Sequence, residues 1–174
     1  RGPARMLVSI LIPCYNAARW IGEAVGSALG QNGVVPSVIV VDDGSTDGTE
    51  EVLKRFASRL KVIRQPNRGI AAARNAGVTA GTAPYVAFLD ADDVWEPDFL
   101  LRVTLLLRMH PELDVVFSDH YQFWDGGPVV VPSFLSRHAG FARIPRTEAG
   151  APNAYVFRRP IGDDLVDAFE DGLD

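Results

Sequence analysis

Val38-Ile39-Val40-Val41-Asp42-Asp43-Gly44-Ser45-Thr46-Asp47-Gly48-Thr49 decides the fold. Its first residues are an unbroken β-branched run, apolar on both faces, as a strand buried between two layers must be. The run stops at two aspartates and a glycine, which favour a turn. A helical pattern then runs from about Thr49 to Ala57, so strand, acidic turn and helix form the start of a β–α unit. The same alternation extends both ways. Upstream, Leu7 to Ile12 reads as a buried strand ended by Pro13. Ala18 to Leu29 follows with apolar residues at helical spacing, from Trp20 and Ile21 to Ala28 and Leu29. Downstream, Leu60 to Ile63 predicts a third strand, Gly69 to Val78 a helix and Tyr85 to Leu89 a fourth strand. That strand ends at Asp90-Ala91-Asp92-Asp93. Pro97 to His110 predicts a helix with proline in its favoured first turn, and Val115 to Phe117 a fifth strand. Tight strand–helix alternation implies an α/β fold, a mostly parallel sheet flanked by helices and built from right-handed βαβ units.

After Ser118 the pattern weakens. Tyr121 to Trp124 and Val129 to Val131, separated by Asp125-Gly126-Gly127-Pro128, predict a hairpin. Ser133 to Pro160, with its prolines and arginines, reads as loop. Ile161 to Phe169 has a short helical spacing.

Composition narrows the class. The chain has 174 residues, 47% of them hydrophobic and 22% charged, the balance of one globular domain with a real core. No apolar run reaches the roughly 18 to 20 residues that span a bilayer. Residues 1–6, Arg1-Gly2-Pro3-Ala4-Arg5-Met6, lack the apolar centre of a signal peptide and are expected to be a flexible or vector-derived N-terminus. The single cysteine, Cys14, leaves no internal disulfide framework and fits a reducing, cytoplasmic setting. A net charge of −5 speaks against whole-surface attraction to nucleic acid or anionic lipid.

Ligands of open α/β sheets bind outside the carboxyl ends of the strands. Three such ends carry Pro13-Cys14-Tyr15-Asn16, Asp42-Asp43-Gly44-Ser45 and Asp90-Ala91-Asp92-Asp93, so a parallel sheet lines five carboxylates along one edge. Alone, each acidic stretch is also what a turn and a helix cap require, with Thr46 or Asp47 as the cap. Together they raise one another's pKa and destabilise the fold unless a cation or hydrogen-bond donors compensate. Carboxylates, waters and phosphate oxygens are the hard ligands that Mg²⁺ or Mn²⁺ prefers.

These stretches, with Asn67-Arg68-Gly69 and Ala73-Arg74-Asn75-Ala76-Gly77, resemble in order and spacing the serial motifs of the family-two glycosyltransferases. The resemblance covers about Val8 to Ser118. It implies a GT-A-type fold with a Rossmann-like nucleotide-binding half over residues 7–119, and an acceptor-side region over 120–174. It implies an inverting, metal-dependent transferase that moves a sugar from a nucleotide-diphosphate sugar, expected to be UDP-linked, to a hydroxyl acceptor such as a glycan or cell-surface polymer. Pro13 and Tyr15 would border the nucleoside, and Asp43 would accept from a uracil-like base, with Asp42 the lesser partner and holder of the turn. Arg68 would approach base or phosphate. Asp90 and Ala91 would meet the ribose, Asp92 would bind Mn²⁺ or Mg²⁺, and Asp93 would orient metal waters or the sugar.

An inverting transfer also needs a general base. Glu170 and Asp171, in Phe169-Glu170-Asp171-Gly172, resemble the family's acidic pair, with Asp163 and Asp164 as further acids. A solvated acidic terminus is the competing reading, and the second half is short enough that an incomplete acceptor region is expected. Membrane contact is expected only at an inner face, through segments beyond this chain. Trp20 and Trp95 read as packing residues, Trp124 as an acceptor-sugar contact, and Arg143, Arg146, Arg158 and Arg159 as anion ligands or solvated loop. His110, His120 and His138 lack metal-ligand spacing. A catalytically silent nucleotide-sugar-binding module is the alternative. A sugar-nucleotide pyrophosphorylase is disfavoured because no Gly-rich basic loop follows the first strand, and a phospho-acceptor receiver because no lysine follows the fifth.

Overall fold

The computed structural model describes residues 6–117 and 154–158. In chain order the elements are β1 (Met6–Cys14), α1 (Ile21–Leu29), β2 (Val34–Asp42), α2 (Thr49–Lys54), β3 (Leu60–Arg64), α3 (Ile70–Ala80), β4 (Tyr85–Leu89), α4 (Phe99–Met109), β5 (Val115–Phe117) and β6 (Ala154–Arg158). They build one six-stranded sheet in the order β3-β2-β1-β4-β6-β5. The β1–β2, β1–β4 and β2–β3 pairs are parallel, whereas β6 runs antiparallel to both β4 and β5. The mixed α/β architecture and the position of every strand predicted up to Phe117 agree with the reading above.

Alternation along the strands distributes the core between two faces. Val8, Ile10 and Ile12 of β1, Val38 and Val40 of β2, and Ala87 and Leu89 of β4 point to one side. There they pack on Ile21, Ala24, Val25 and Ala28 of α1, Leu53 of α2, and Leu100, Val103 and Leu107 of α4. Leu11, Ile39, Val41, Val86 and Phe88 point the other way, onto Ala73 and Val78 of α3. Helix α3 packs on β1 through Gly77, where a Cβ would just reach van der Waals contact, 3.4 Å, with Leu11.

Two expectations change. Pro13 does not end β1, which runs on to Cys14 and keeps its register with β2 through Pro13↔Val41. The β4 pairing stops at Leu11, so at Pro13 one flank of the strand is open and a missing N–H is tolerated. The stretch Ser133 to Pro160, read as loop, contains β6. Pro152 and Pro160 obscured a short run of β-formers. Val156 is fully buried and Phe157 stands edge-on to Phe88 at 5.8 Å between centroids. The hairpin over 121–131 and the helix over 161–169 lie outside the described residues. No helix among the described residues is long and apolar enough to cross a membrane.

Candidate functional site

Strand β1 has β2 on one side and β4 on the other, so chain direction across the sheet reverses at β1. Such a switch point opens a crevice at the carboxyl ends of the strands. A cleft of about 420 Å³ lies there, lined by Pro13, Tyr15, Trp20, Asp43, Ile70, Asp90, Ala91 and Asp92 among others.

The loop after β1 is built by its neighbour. Asn16 has a left-handed φ of 48°, which asparagine tolerates better than most residues. Its Oδ1 accepts from Thr46 N at 2.9 Å. The main-chain N–H groups of Asn16, Ala17 and Ala18 donate to Ser45 Oγ, Thr49 Oγ1 and Asp47 Oδ2. These bonds fix the loop ahead of α1 and hold Tyr15, half of whose surface is exposed, at the cleft. Asp47 also accepts from Thr49 N and Oγ1, which caps α2.

The two aspartates of the second loop have different duties. Asp42, 2% exposed, accepts from Ser45 N and faces Arg64, so it holds the turn and does not line the cleft. Asp43 lines the cleft but is itself well supplied with donors. Gln65 Nε2 donates at 2.7 Å, Arg68 N at 3.0 Å and Gly69 N at 2.8 Å. A carboxylate has about four acceptor directions, so about one remains for a ligand. Arg68 contributes its backbone N–H, while its exposed side chain is outside the cleft lining.

In the third loop Asp90 receives Arg74 Nη2 at 3.0 Å. Asp92 is exposed on the cleft and makes no hydrogen bond or ion pair with the described residues. Asp93 is half-buried, donates its N–H to Asp90 O and is outside the lining set. The carboxylates that stand together are thus compensated mainly by protein donors. No group of three or more His, Cys, Asp or Glu able to hold a metal ion occurs among the described residues. Asp92 remains a hard oxygen donor turned to an open crevice, which suits a hydrated Mg²⁺ or Mn²⁺ that completes its shell with ligand oxygens.

Cys14, buried against this edge, has its thiol pushed up to about 12 by burial, helped by Asp42, Asp47 and Asp43. It is therefore an un-ionised packing group, as its lack of a base partner suggested. Trp20 corrects the packing expectation: it is 38% exposed at the cleft, with the Arg19 guanidinium 4.1 Å over its ring. Trp95 does pack, against Phe99. Ile70 and Gln65 escaped sequence reasoning, since an aliphatic residue at a helix start and a lone glutamine carry no motif. Arg158 serves structure, donating to the carbonyls of Leu107 and His110. Glu170, Asp171, Asp163, Asp164, Trp124, Arg143, Arg146 and Arg159 lie outside the described residues.

The model of the family described as "Glycosyl transferase family 2" matches residues 9–166. An uncharacterized glycosyltransferase of Nostoc sp. is 38% identical over 125 residues, 70% of this chain and 38% of that protein. Chondroitin synthase of Pasteurella multocida is 45% identical over 95 residues, 53% of this chain and 10% of that one. The chain therefore spans less than half the length of these relatives. Among solved structures, S. aureus TarS 1-349 in complex with UDP-GlcNAc superimposes with a TM-score of 0.68 at 23% identity, over 88% of this chain and 45% of that one. Mannosyltransferase PcManGT from Pyrobaculum calidifontis, in complex with GDP-Man and Mn²⁺, does so with a TM-score of 0.62 at 29% identity, over 68% and 36%.

Proposed function

Because the chain belongs to glycosyl transferase family 2, we propose that its cleft binds the nucleotide-diphosphate part of a sugar donor and that the protein carrying it is an inverting glycosyltransferase. The observation that carries this reading is the meeting of Tyr15, Asp43, Asp90 and the unengaged Asp92 in one crevice at the switch point. Tyr15 offers a ring face to a base, with its hydroxyl still in water. The free acceptor direction of Asp43 suits an N–H donor on that base, as a uracil would present, which favours UDP. Asp42 acts at one remove by fixing the turn that aims Asp43. Asp90 and Ala91 border the space for the ribose, Arg68 would reach from outside the lining toward base or phosphate, and Asp92 is the residue to hold Mn²⁺ or Mg²⁺. When bound, that ion would neutralise the diphosphate as it departs. The Mn²⁺ in the mannosyltransferase complex is consistent with such a site.

Residues 7–119 form the donor half in this reading, and 120–174 the acceptor side. Asp93 would orient metal waters or the sugar, and Glu170 or Asp171 would take the proton of the acceptor hydroxyl. A saccharide acceptor, of the kind built into cell-surface polymers, accords with the name of the chondroitin synthase relative.

Calorimetric titration of the chain with UDP and GDP, each with Mn²⁺ and with EDTA, tests the reading. Metal-dependent binding of UDP in preference to GDP is expected, and Asp92→Ala should remove the metal dependence while metal-free binding persists. Failure to bind any nucleoside diphosphate would overturn it.

A further inference from the structure

The loop that carries Asp92 and Asp93 is fixed at one end by the buried residue Leu89 of β4. Its other end is gripped by the turn that follows α1. Gln31, 6% exposed, sits at the centre of that grip. Its Nε2 donates to Glu96 O at 2.8 Å and to Ser27 O at 3.2 Å, and its Oε1 accepts from Leu100 N at 2.9 Å. Leu100 N is one of the N–H groups that a helix leaves open at its start, and α4 has no side-chain cap of its own at Asp98. Gln31 supplies that cap from a distant part of the chain. Its neighbours extend the grip. Ser27 Oγ accepts from Trp95 N at 3.2 Å, Asn32 N donates to Pro97 O at 2.8 Å, and Asn32 Nδ2 donates to Asp98 Oδ1 at 3.0 Å. Gly33, at φ 72°, brings this turn so near α4 that a Cβ would stand 2.9 Å from Leu101.

From these bonds we infer that Gln31, with Ser27, is a positioning residue for the 90–93 carboxylate loop: it sets where Asp92 stands while touching no ligand itself. Residues 90–94 bridge a strand end and the clamped segment 95–100, so slack in the clamp becomes displacement of Asp92. Tyr15 and Asp43 stand on other loops, braced by Asn16 and Gln65 contacts that do not involve Gln31. Losing Gln31 therefore weakens the metal-assisted part of nucleotide binding and spares the nucleoside part. The inference rests on Asp92 as metal ligand.

The test is a double-mutant cycle of Gln31→Met, which keeps length and approximate shape but loses the bonds, with Asp92→Asn. UDP affinity is measured calorimetrically on the whole chain, in Mn²⁺ and in EDTA. Gln31→Met should weaken Mn²⁺-dependent affinity by about threefold to tenfold, at or below the low end of what losing a group bonded directly to a metal ligand costs, because Gln31 acts through residues 95–100. It should leave the EDTA value unchanged, and it should add nothing in the Asp92→Asn background. Equal weakening with and without Mn²⁺, no weakening, or an undiminished effect beside Asp92→Asn would each overturn the inference. If Gln31→Met does not fold, Ser27→Ala carries the same test under the same criteria. A wild-type chain whose UDP binding ignores Mn²⁺ overturns the metal assignment and this inference with it, whereas a metal-responsive wild type with an indifferent variant overturns the inference alone.

Discussion

At the scale of single residues, Asp42, Asp43, Asp47 and Asp90 of the acidic edge each have assigned donors. Asp47 illustrates the balance. Partial desolvation pushes its pKa up, but the Thr49 hydroxyl and the N–H groups of Ala18 and Thr49 more than offset that and hold it below the ordinary 3.8. A carboxylate lowered on folding contributes stability that is complete above the ordinary value and is lost as pH falls through the lowered one. Asp47→Ala should therefore cost about 1 kcal/mol at pH 7, the usual worth of a helix cap. The deficit should shrink as pH falls from 3.8 through that lowered value, where the wild-type carboxylate takes up its proton. Urea titrations at neutral pH and across that range read it, and a deficit that is constant with pH would remove the charge from the explanation. Cys14 gives a second check. With its thiol pushed up to about 12, about 10⁻⁴ of it is ionised at pH 8, so native protein should resist iodoacetamide over a period in which urea-unfolded protein is fully alkylated. Mass spectrometry follows the label, and rapid native labelling would show that the thiol is neither so buried nor so hard to ionise.

At the scale of elements, the loops interlock because single positions allow close approach. Gly44 has a φ of 82°, and a Cβ there would stand 2.9 Å from Asn67 N, so the chain leaving β3 passes directly over the turn leaving β2. Gln65 N donates to Asp42 O in the same crossing. Gly44→Ala should cost about 1 to 3 kcal/mol, the range for a residue forced into a disfavoured backbone region. It should also weaken nucleotide binding, because Arg68 N and Gly69 N would move off Asp43. A shift of the urea midpoint with binding unaltered would separate the two loops. This crossing marks where sequence reasoning reaches its limit. The strands from Val38 to Val41 and from Tyr85 to Leu89 were legible because uninterrupted apolar runs ended by aspartate have few other meanings. The grouping of Tyr15, Asp43, Asp90 and Asp92 was legible because parallel strands put their carboxyl ends on one edge. The donors on Asp43 were not, since they are main-chain N–H groups and a glutamine 22 residues away, which no periodicity signals. Gln31 was hidden for the same reason: its partners lie 65 and 69 residues downstream.

At the scale of the whole molecule, the informative strand is β6, which a proline-rich surround concealed in the sequence. It lies between β4 and β5, so among the described strands β5 joins the sheet through it alone. Residues 154–158 therefore complete the sheet that carries the cleft, which so depends on chain from well beyond Phe117. Arg158 reinforces the joint: its N–H donates to Asp114 O, and its guanidinium donates to Leu107 O and His110 O. Those carbonyls belong to the C-terminal turn of α4, where a cation is favoured and the last C=O groups need partners. Arg158→Ala should cost about 1.5 to 3 kcal/mol, the worth of hydrogen bonds to a charged group. Val156→Asp should do more damage, because it buries a carboxylate at a fully enclosed site between Ala87 and Val116. If β6 is integral, both changes lower one cooperative unfolding transition, seen alike by far-UV circular dichroism and by tryptophan fluorescence. If β6 is a detachable edge, Val156→Asp gives a protein whose main transition stays in place and whose UDP affinity is undiminished. The two outcomes differ because only an integral strand couples this late segment to the position of Leu89, and through Leu89 to the carboxylate loop that begins at Asp90.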